Sequence, residues 1–177
     1  MRIVISIMFI VFATMLAEAL VSRAHEKKLR AAGAVEPPGD VFGVMRIAYP
    51  ASFLLMALEA LLRGTRADVL APGIVIFALA KALKWWAIAS LGDRWSFRVL
   101  VLPGAALVDA GPYRVLRHPN YVSVFGELVA VALMLSVPST GTLACVGFAA
   151  LIRARIRVEE RALGLGGDAI LRRRPRR

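Results

Sequence analysis

The stretch "YVSVFGELVAVALMLSVPSTGTLACVGFAALI", residues 121–152, decides the fold. It is almost wholly apolar and too long for one crossing, since a helix needs about 20 residues to span about 30 Å of hydrocarbon. Inside it, "SVPSTG" (Ser136–Gly141) gathers a proline, a glycine and small hydroxyl residues, a combination that breaks helices. The stretch therefore reads as two helices folded back on each other as a hairpin.

Working outward, three further apolar runs each have the length of a single crossing: Ile3–Val21, Phe42–Leu62 and Val69–Leu91. With the hairpin this makes five transmembrane helices in an all-α, polytopic membrane bundle. The composition agrees, at 59% hydrophobic residues and a mean hydropathy of +0.68. The period-2 alternation of a membrane β-barrel is absent. Arg2, an apolar run and "AEA" (Ala17–Ala19) imitate a signal peptide, but "SRAHEKKLR" follows at once, and clustered positive charge resists translocation. The expectation is one domain over residues 1–177, ending in a basic tail over 164–177.

A net charge of +11 raises the question of nucleic acid, and its placement answers it. Arg23, Lys27, Lys28 and Arg30 lie between the first two runs, and Arg94, Arg98, Arg114 and Arg117 lie between the third and the hairpin. Arg153, Arg155, Arg157, Arg161 and "RRRPRR" follow the hairpin, whereas the opposite segments hold only Arg2, Arg63 and Arg66. This asymmetry predicts an N-out, C-in protein in a bacterial plasma membrane, with its basic tail at lipid headgroups and no nucleic-acid partner. One cysteine, Cys145, and two histidines, His25 and His118, leave no metal-site spacing. "LGLGGD" (Leu163–Asp168) follows a helix and not a strand, so it is no nucleotide loop.

Two constellations carry chemistry. In "GPYRVLRHPNY" (Gly111–Tyr121), Pro119 suits the first turn of the next helix, which puts His118 at the N-cap beside free N–H groups and positive dipole, a seat for a carboxylate. Tyr113 and Tyr121 flank it, although interfacial anchoring would use the same residues. In "RARIRVEERAL" (Arg153–Leu163), Arg155 and Glu159 share a face at i,i+4. Arg153, Arg157 and Arg161 fall on a different stripe, and Glu160 lies about 100° from Glu159. An ordinary salt-bridged helix end is the alternative there. Of the other intramembrane ionisable groups, Lys81 and Lys84 are expected to snorkel, and Glu127 to face the same pocket as Asn120.

With both constellations in place, residues Leu91–Leu163 resemble the isoprenylcysteine carboxyl methyltransferase family, which is related to the phospholipid N-methyltransferases. The resemblance rests on "LGDRWS", "GPYRVLRHPNY", the hairpin and "RIRVEERAL", in that order. "SRAHEKKLRAAGAVE" and "LGDRWSFRVLV" also resemble a bacterial branch that is associated with polyketide synthases and O-methylates alkylpyrones or alkylresorcinols. The resemblance implies S-adenosylmethionine (SAM) as the donor, with a lipophilic small molecule as the acceptor at a cytoplasmic pocket. It assigns the cofactor to Tyr113, His118, Pro119, Asn120, Tyr121 and Glu159, with Leu107 and Val108 lining the adenosine. It sets Arg155 beside the acceptor as the catalytic residue. The tail "GLGGDAILRRRPRR" departs from the aromatic-rich tail of eukaryotic members, which weakens a prenylated-protein acceptor. Phospholipid amine methylation, an NADPH-dependent sterol-type reductase and a non-enzymatic membrane adaptor are the other readings.

Overall fold

The first apolar run does not stop where its hydropathy does. In the computed structural model, which describes residues 1–64 and 69–164, helix α1 runs Arg2–Ala31, a full 30 residues. It continues through "SRAHEKKLRA" because those residues are sound helix formers and no proline or glycine intervenes before Gly33. Helices α2 (Phe42–Arg63) and α3 (Leu70–Leu91) follow the next two runs. The hairpin forms as α4 (Pro119–Leu135) and α5 (Pro138–Ala162), with Ser136 left-handed at the break. Arg66, the basic tail and most of "LGLGGD" lie outside the described residues.

Three of these helices, α1, α2 and α3, are long and apolar enough to cross a membrane. At 17 residues α4 is about 25 Å long, and α5 turns charged after Ile152, so the hairpin has shorter apolar arms than the expected pair of full crossings. Bulky residues such as Phe9, Leu16, Leu58 and Leu79 point outward along α1–α3, the surface a lipid-embedded bundle presents. Phe53, Met56, Leu128, Val131, Leu135 and Phe148 fill the centre, joined by Val4, Ile7 and Val11 of α1.

The tightest packing joins α3 to α4. There Gly73 lies so close that a Cβ would come 2.8 Å from the Met134 nitrogen and 2.9 Å from the Ala130 oxygen. Glu59 of α2 caps α5 from outside, accepting from the Thr140 backbone N–H at 2.7 Å and its hydroxyl at 2.6 Å, while Arg63 steadies the same carboxylate at 3.0 Å.

Lys81 and Lys84 do not snorkel. Both are buried and shared between Glu18 of α1 and Glu127 of α4: Lys81 at 2.6 and 2.8 Å, Lys84 at 3.1 Å from Glu18 and in close contact with Glu127. Tyr49 of α2 donates to Glu127 at 2.9 Å. The physical reason is that carboxylates on two neighbouring helices lie at the same depth, so the ammonium groups find partners without reaching for water. Glu127 is thereby spent inside this neutral quartet and does not face the cavity described below. All four helices α1–α4 are tied by it.

The connection from Gly92 to His118 is ordered against the end of α1. Val35 and Val101 exchange backbone hydrogen bonds at 2.9 and 3.0 Å, Phe97 N–H donates to the Ser22 hydroxyl at 2.8 Å, and Lys28 pairs with Asp93 at 2.8 Å. Glu36 is held by Arg30 at 2.7 Å and by Arg98 at 2.6 Å. Both loops thus close over the same end of the bundle.

Candidate functional site

Beneath those loops lies a cavity of about 500 Å³ to which every helix contributes a wall. Its chemistry begins at the start of α4, where the local sequence behaves as its residue types dictate. His118 is the N-cap, Pro119 opens the helix, and no side chain caps the exposed N-terminus. One turn before, Gly111–Arg114 forms a short 3-10 turn. Gly111 adopts φ +55°, and a Cβ there would overlap the Ser90 hydroxyl and sit 2.9 Å from the Trp86 indole nitrogen. Only glycine lets this turn press on the end of α3 and bring Tyr113 into the cavity wall. Burial, with the Glu159 carboxylate adding to it, pushes the Tyr113 phenol well above its ordinary value.

At the centre stands Tyr121. Its hydroxyl donates to Glu159 Oε2 at 2.7 Å and accepts from Arg155 Nε at 3.0 Å. The i,i+4 pair on α5 therefore converges on one phenol from α4. His118 lies against the Tyr121 ring, with ring centres 5.6 Å apart, and is flanked by both carboxylates: Nδ1 is 3.7 Å from Glu159 and Nε2 is 3.3 Å from Glu160. Although Glu160 points about 100° away from Glu159 on the helix, the imidazole is wide enough to touch each through a different nitrogen. The Asn120 side-chain oxygen is buried in the same wall without a hydrogen-bond partner.

Arg155, only 4% exposed, is held on all three guanidinium nitrogens. Beyond Tyr121, Nη1 faces Asp40 at 3.3 Å and Nη2 donates to the Phe97 carbonyl, while the guanidinium plane lies 5.6 Å from the Phe42 ring. Asp40 in turn accepts from the Phe42 N–H at 3.1 Å and the Val99 N–H at 3.3 Å, so it fastens both loops to α5.

Of the residues singled out in the sequence, Tyr113, His118, Pro119, Asn120, Tyr121, Arg155 and Glu159 all line the cavity. Leu107, at 55% exposure, and the half-buried Val108 do not; they lie in the irregular loop that leads into the Gly111 turn. Sequence reasoning passed over Asp40; it counted Arg23 only toward the charge asymmetry, held Arg46 only as one of several intramembrane ionisable groups, and gave Glu160 no partner. Asp40 left one trace, as the residue closing the turn "PPGD" ahead of a helix. The Phe97 carbonyl left none, since every residue carries one.

Comparison with known proteins supplies an independent line. The family model for the isoprenylcysteine carboxyl methyltransferase (ICMT) family matches residues 73–164, a span that takes in most of α3, the ordered loop and the whole hairpin. Over 148 residues the chain is 33% identical to the uncharacterized protein YpbQ of Bacillus subtilis, covering 83% of this chain and 88% of that protein. An uncharacterized protein of Haemophilus influenzae is 26% identical over 145 residues, covering 81% of this chain and 84% of its own length.

Proposed function

The chain belongs to the isoprenylcysteine carboxyl methyltransferase family, and on that premise we propose that it is a SAM-dependent methyltransferase acting on an oxygen of a lipophilic acceptor. Its membership makes it an integral membrane protein of a methyltransferase family; donor, acceptor and orientation are our reading. The observation that carries this reading is the Tyr121 phenol bridged to Glu159 and Arg155 beside an uncapped helix N-terminus.

The residues suit the donor's charges. The start of α4 offers a positive dipole for a carboxylate, Glu159 offers an anion for an ammonium group, and the unpartnered Asn120 oxygen is a ready acceptor in the same wall. A cavity of about 500 Å³ lies within the range of clefts that enclose small ligands. When bound, SAM supplies an electrophilic methyl group. The chain contributes alignment and exclusion of water, which are what an in-line displacement needs most. Tyr121 and Arg155 fix the Glu159 carboxylate, and Asp40 fixes Arg155 to the covering loops. The apolar helices give a greasy acceptor lateral access, and a cytoplasmic loop face gives a water-soluble donor its own entrance.

For the acceptor we favour an alkylpyrone- or alkylresorcinol-type hydroxyl, or a carboxylate, over a phospholipid amine. Away from Glu159, which the donor's ammonium would use, the unpartnered charges in the wall are those of Arg23 and Arg46, which suits an acidic acceptor oxygen better than an amine. Calorimetry on the purified protein with SAM and with NADPH tests the proposal. SAM binding that disappears in Glu159→Ala is the expected result; NADPH binding in place of SAM would move the protein to the reductases.

A further inference from the structure

Seven arginines and lysines line the cavity: Arg23, Arg46, Lys84, Arg94, Arg98, Arg117 and Arg155. Five of them are spoken for. Lys84 belongs to the buried quartet, Arg94 donates to the Ala106 carbonyl at 2.7 Å, and Arg98 holds Glu36. Arg117 faces Glu160 at 4.0 Å, and Arg155 is engaged on every nitrogen. Among the described residues, Arg23 of α1 and Arg46 of α2 have no hydrogen-bond or ion-pair partner.

These two occupy corresponding places. Arg23 lies in the last third of α1 and Arg46 in the first turns of α2, so both stand at the loop end of neighbouring helices. Below them the wall is apolar apart from the charge-balanced Glu18 and Lys84 of the buried quartet, the Ser22 hydroxyl and the Tyr49 phenol. Met15 is eight residues, or roughly 12 Å, down α1 from Arg23, and Pro50 is one turn, roughly 6 Å, down α2 from Arg46. Phe148 closes the depth from α5. A cationic rim above a greasy shaft matches an amphiphile with one acidic head and one tail.

We propose that Arg46, assisted by Arg23, receives the acidic oxygen of the acceptor, and that Arg155 is a positioning residue for Tyr121, Glu159 and the covering loops. The assignment rests on the methyltransferase reading for its meaning, not for its geometry. A guanidinium with free donors binds a carboxylate through two parallel N–H groups and a phenolate oxygen through converging ones, whereas one already shared among a carboxylate, a carbonyl and a phenol has little to offer. Arg46 is exposed and unpartnered, so its replacement removes the cation without disturbing the fold.

The test titrates palmitate and its methyl ester into the full-length protein in nanodiscs of zwitterionic lipid, with SAM titrated in parallel. The expected result is that wild type prefers palmitate, that Arg46→Gln weakens palmitate at least 10-fold and Arg23→Gln a few-fold, and that ester and SAM affinities stay put. Wild type that fails to prefer palmitate overturns the proposal, as does Arg46→Gln that binds palmitate like wild type or loses ester and palmitate alike. A preference that vanishes in Arg155→Lys but survives in Arg46→Gln returns the anion to Arg155. If phosphatidylglycerol in the nanodisc abolishes the Arg46-dependent binding, the rim belongs to lipid phosphates and the acceptor role falls. Absence of SAM binding in every protein, wild type included, sinks the methyltransferase reading and leaves the palmitate result standing.

Discussion

Tyr121 and Glu159, 38 positions apart on different helices, meet in a 2.7 Å hydrogen bond that the phenol donates. The bond matters because it aims one carboxylate oxygen while the other is left for a ligand. A hydrogen bond to a charged group contributes about 1.5–3 kcal/mol, or roughly 10- to 100-fold in a binding constant. Glu159→Gln keeps the shape and removes the charge, and SAM affinity measured by calorimetry should fall by about that factor. Tyr121→Phe keeps the charge but frees the carboxylate to rotate, so it should weaken SAM only a few-fold while cutting turnover about 10-fold or more. Equal effects on affinity from the two variants would show that orientation of Glu159 is not what Tyr121 supplies.

The buried quartet of Glu18, Lys81, Lys84 and Glu127 makes a different prediction, about stability. Removing one member leaves an uncompensated charge in a dry interior, which costs about 3–5 kcal/mol, whereas replacing a whole pair by apolar residues of similar volume is close to neutral. Lys84→Met alone should therefore lower the thermal midpoint in detergent steeply. Lys84→Met combined with Glu127→Leu should recover most of the loss. A double variant as unstable as the single would mean that the quartet contributes net stability and does not merely balance itself.

Which parts of this were legible beforehand follows from the range of the forces involved. Helix positions are written in local hydropathy and in breakers such as Pro138, and the N-cap at His118 in the single step from His to Pro. The convergence of Arg155 and Glu159 on a partner is written in their i,i+4 spacing. The quartet is not, because Lys81 looks like a snorkelling lysine until one knows that α1 and α4 bring Glu18 and Glu127 to its depth. For the same reason the sequence pairs Arg155 only with its i,i+4 neighbour Glu159 or with the acceptor. Its three partners come from α4 and from two loops, and one of them is a backbone carbonyl. The run of α1 to Ala31 was hidden by a simpler fault: charge ends a membrane span, but it does not end a helix.

Gly111 is the hinge between the loop and the site. A methyl group there meets the Ser90 hydroxyl and must also adopt a positive φ of 55°, so Gly111→Ala carries both a clash and a strained backbone. The turn that positions Tyr113 should lift from α3, weakening SAM several-fold with helix content by circular dichroism unchanged. Adding Ser90→Ala removes the closest contact, with the hydroxyl, and leaves the strain and the 2.9 Å approach to the Trp86 indole nitrogen. Partial recovery in the pair assigns that share of the effect to the Ser90 hydroxyl; no recovery assigns it to the backbone together with the Trp86 contact.

Glu36 gives the covering loops an acid-sensitive brace. Burial acts to raise its pKa, but hydrogen bonds from Arg30 and Arg98, and then their charge, more than offset this, and the group sits below its ordinary 4.5. A folded pKa below the unfolded one contributes stability that is fully present above the unfolded value and is lost as pH falls through the folded value. The neighbouring Val35–Val101 backbone pair reports on the brace directly. Its amide protection in hydrogen exchange, taken relative to Glu36→Gln, should be constant from neutral pH down toward the ordinary 4.5 and decline only below it. Glu26 and Asp93 are further carboxylates on this face, beside Arg98 at 3.5 Å and Lys28 at 2.8 Å, and the Gln variant retains both. An acid step of the same size in Glu36→Gln would therefore transfer the brace to one of them, and a flat ratio would remove Glu36 from the closure altogether.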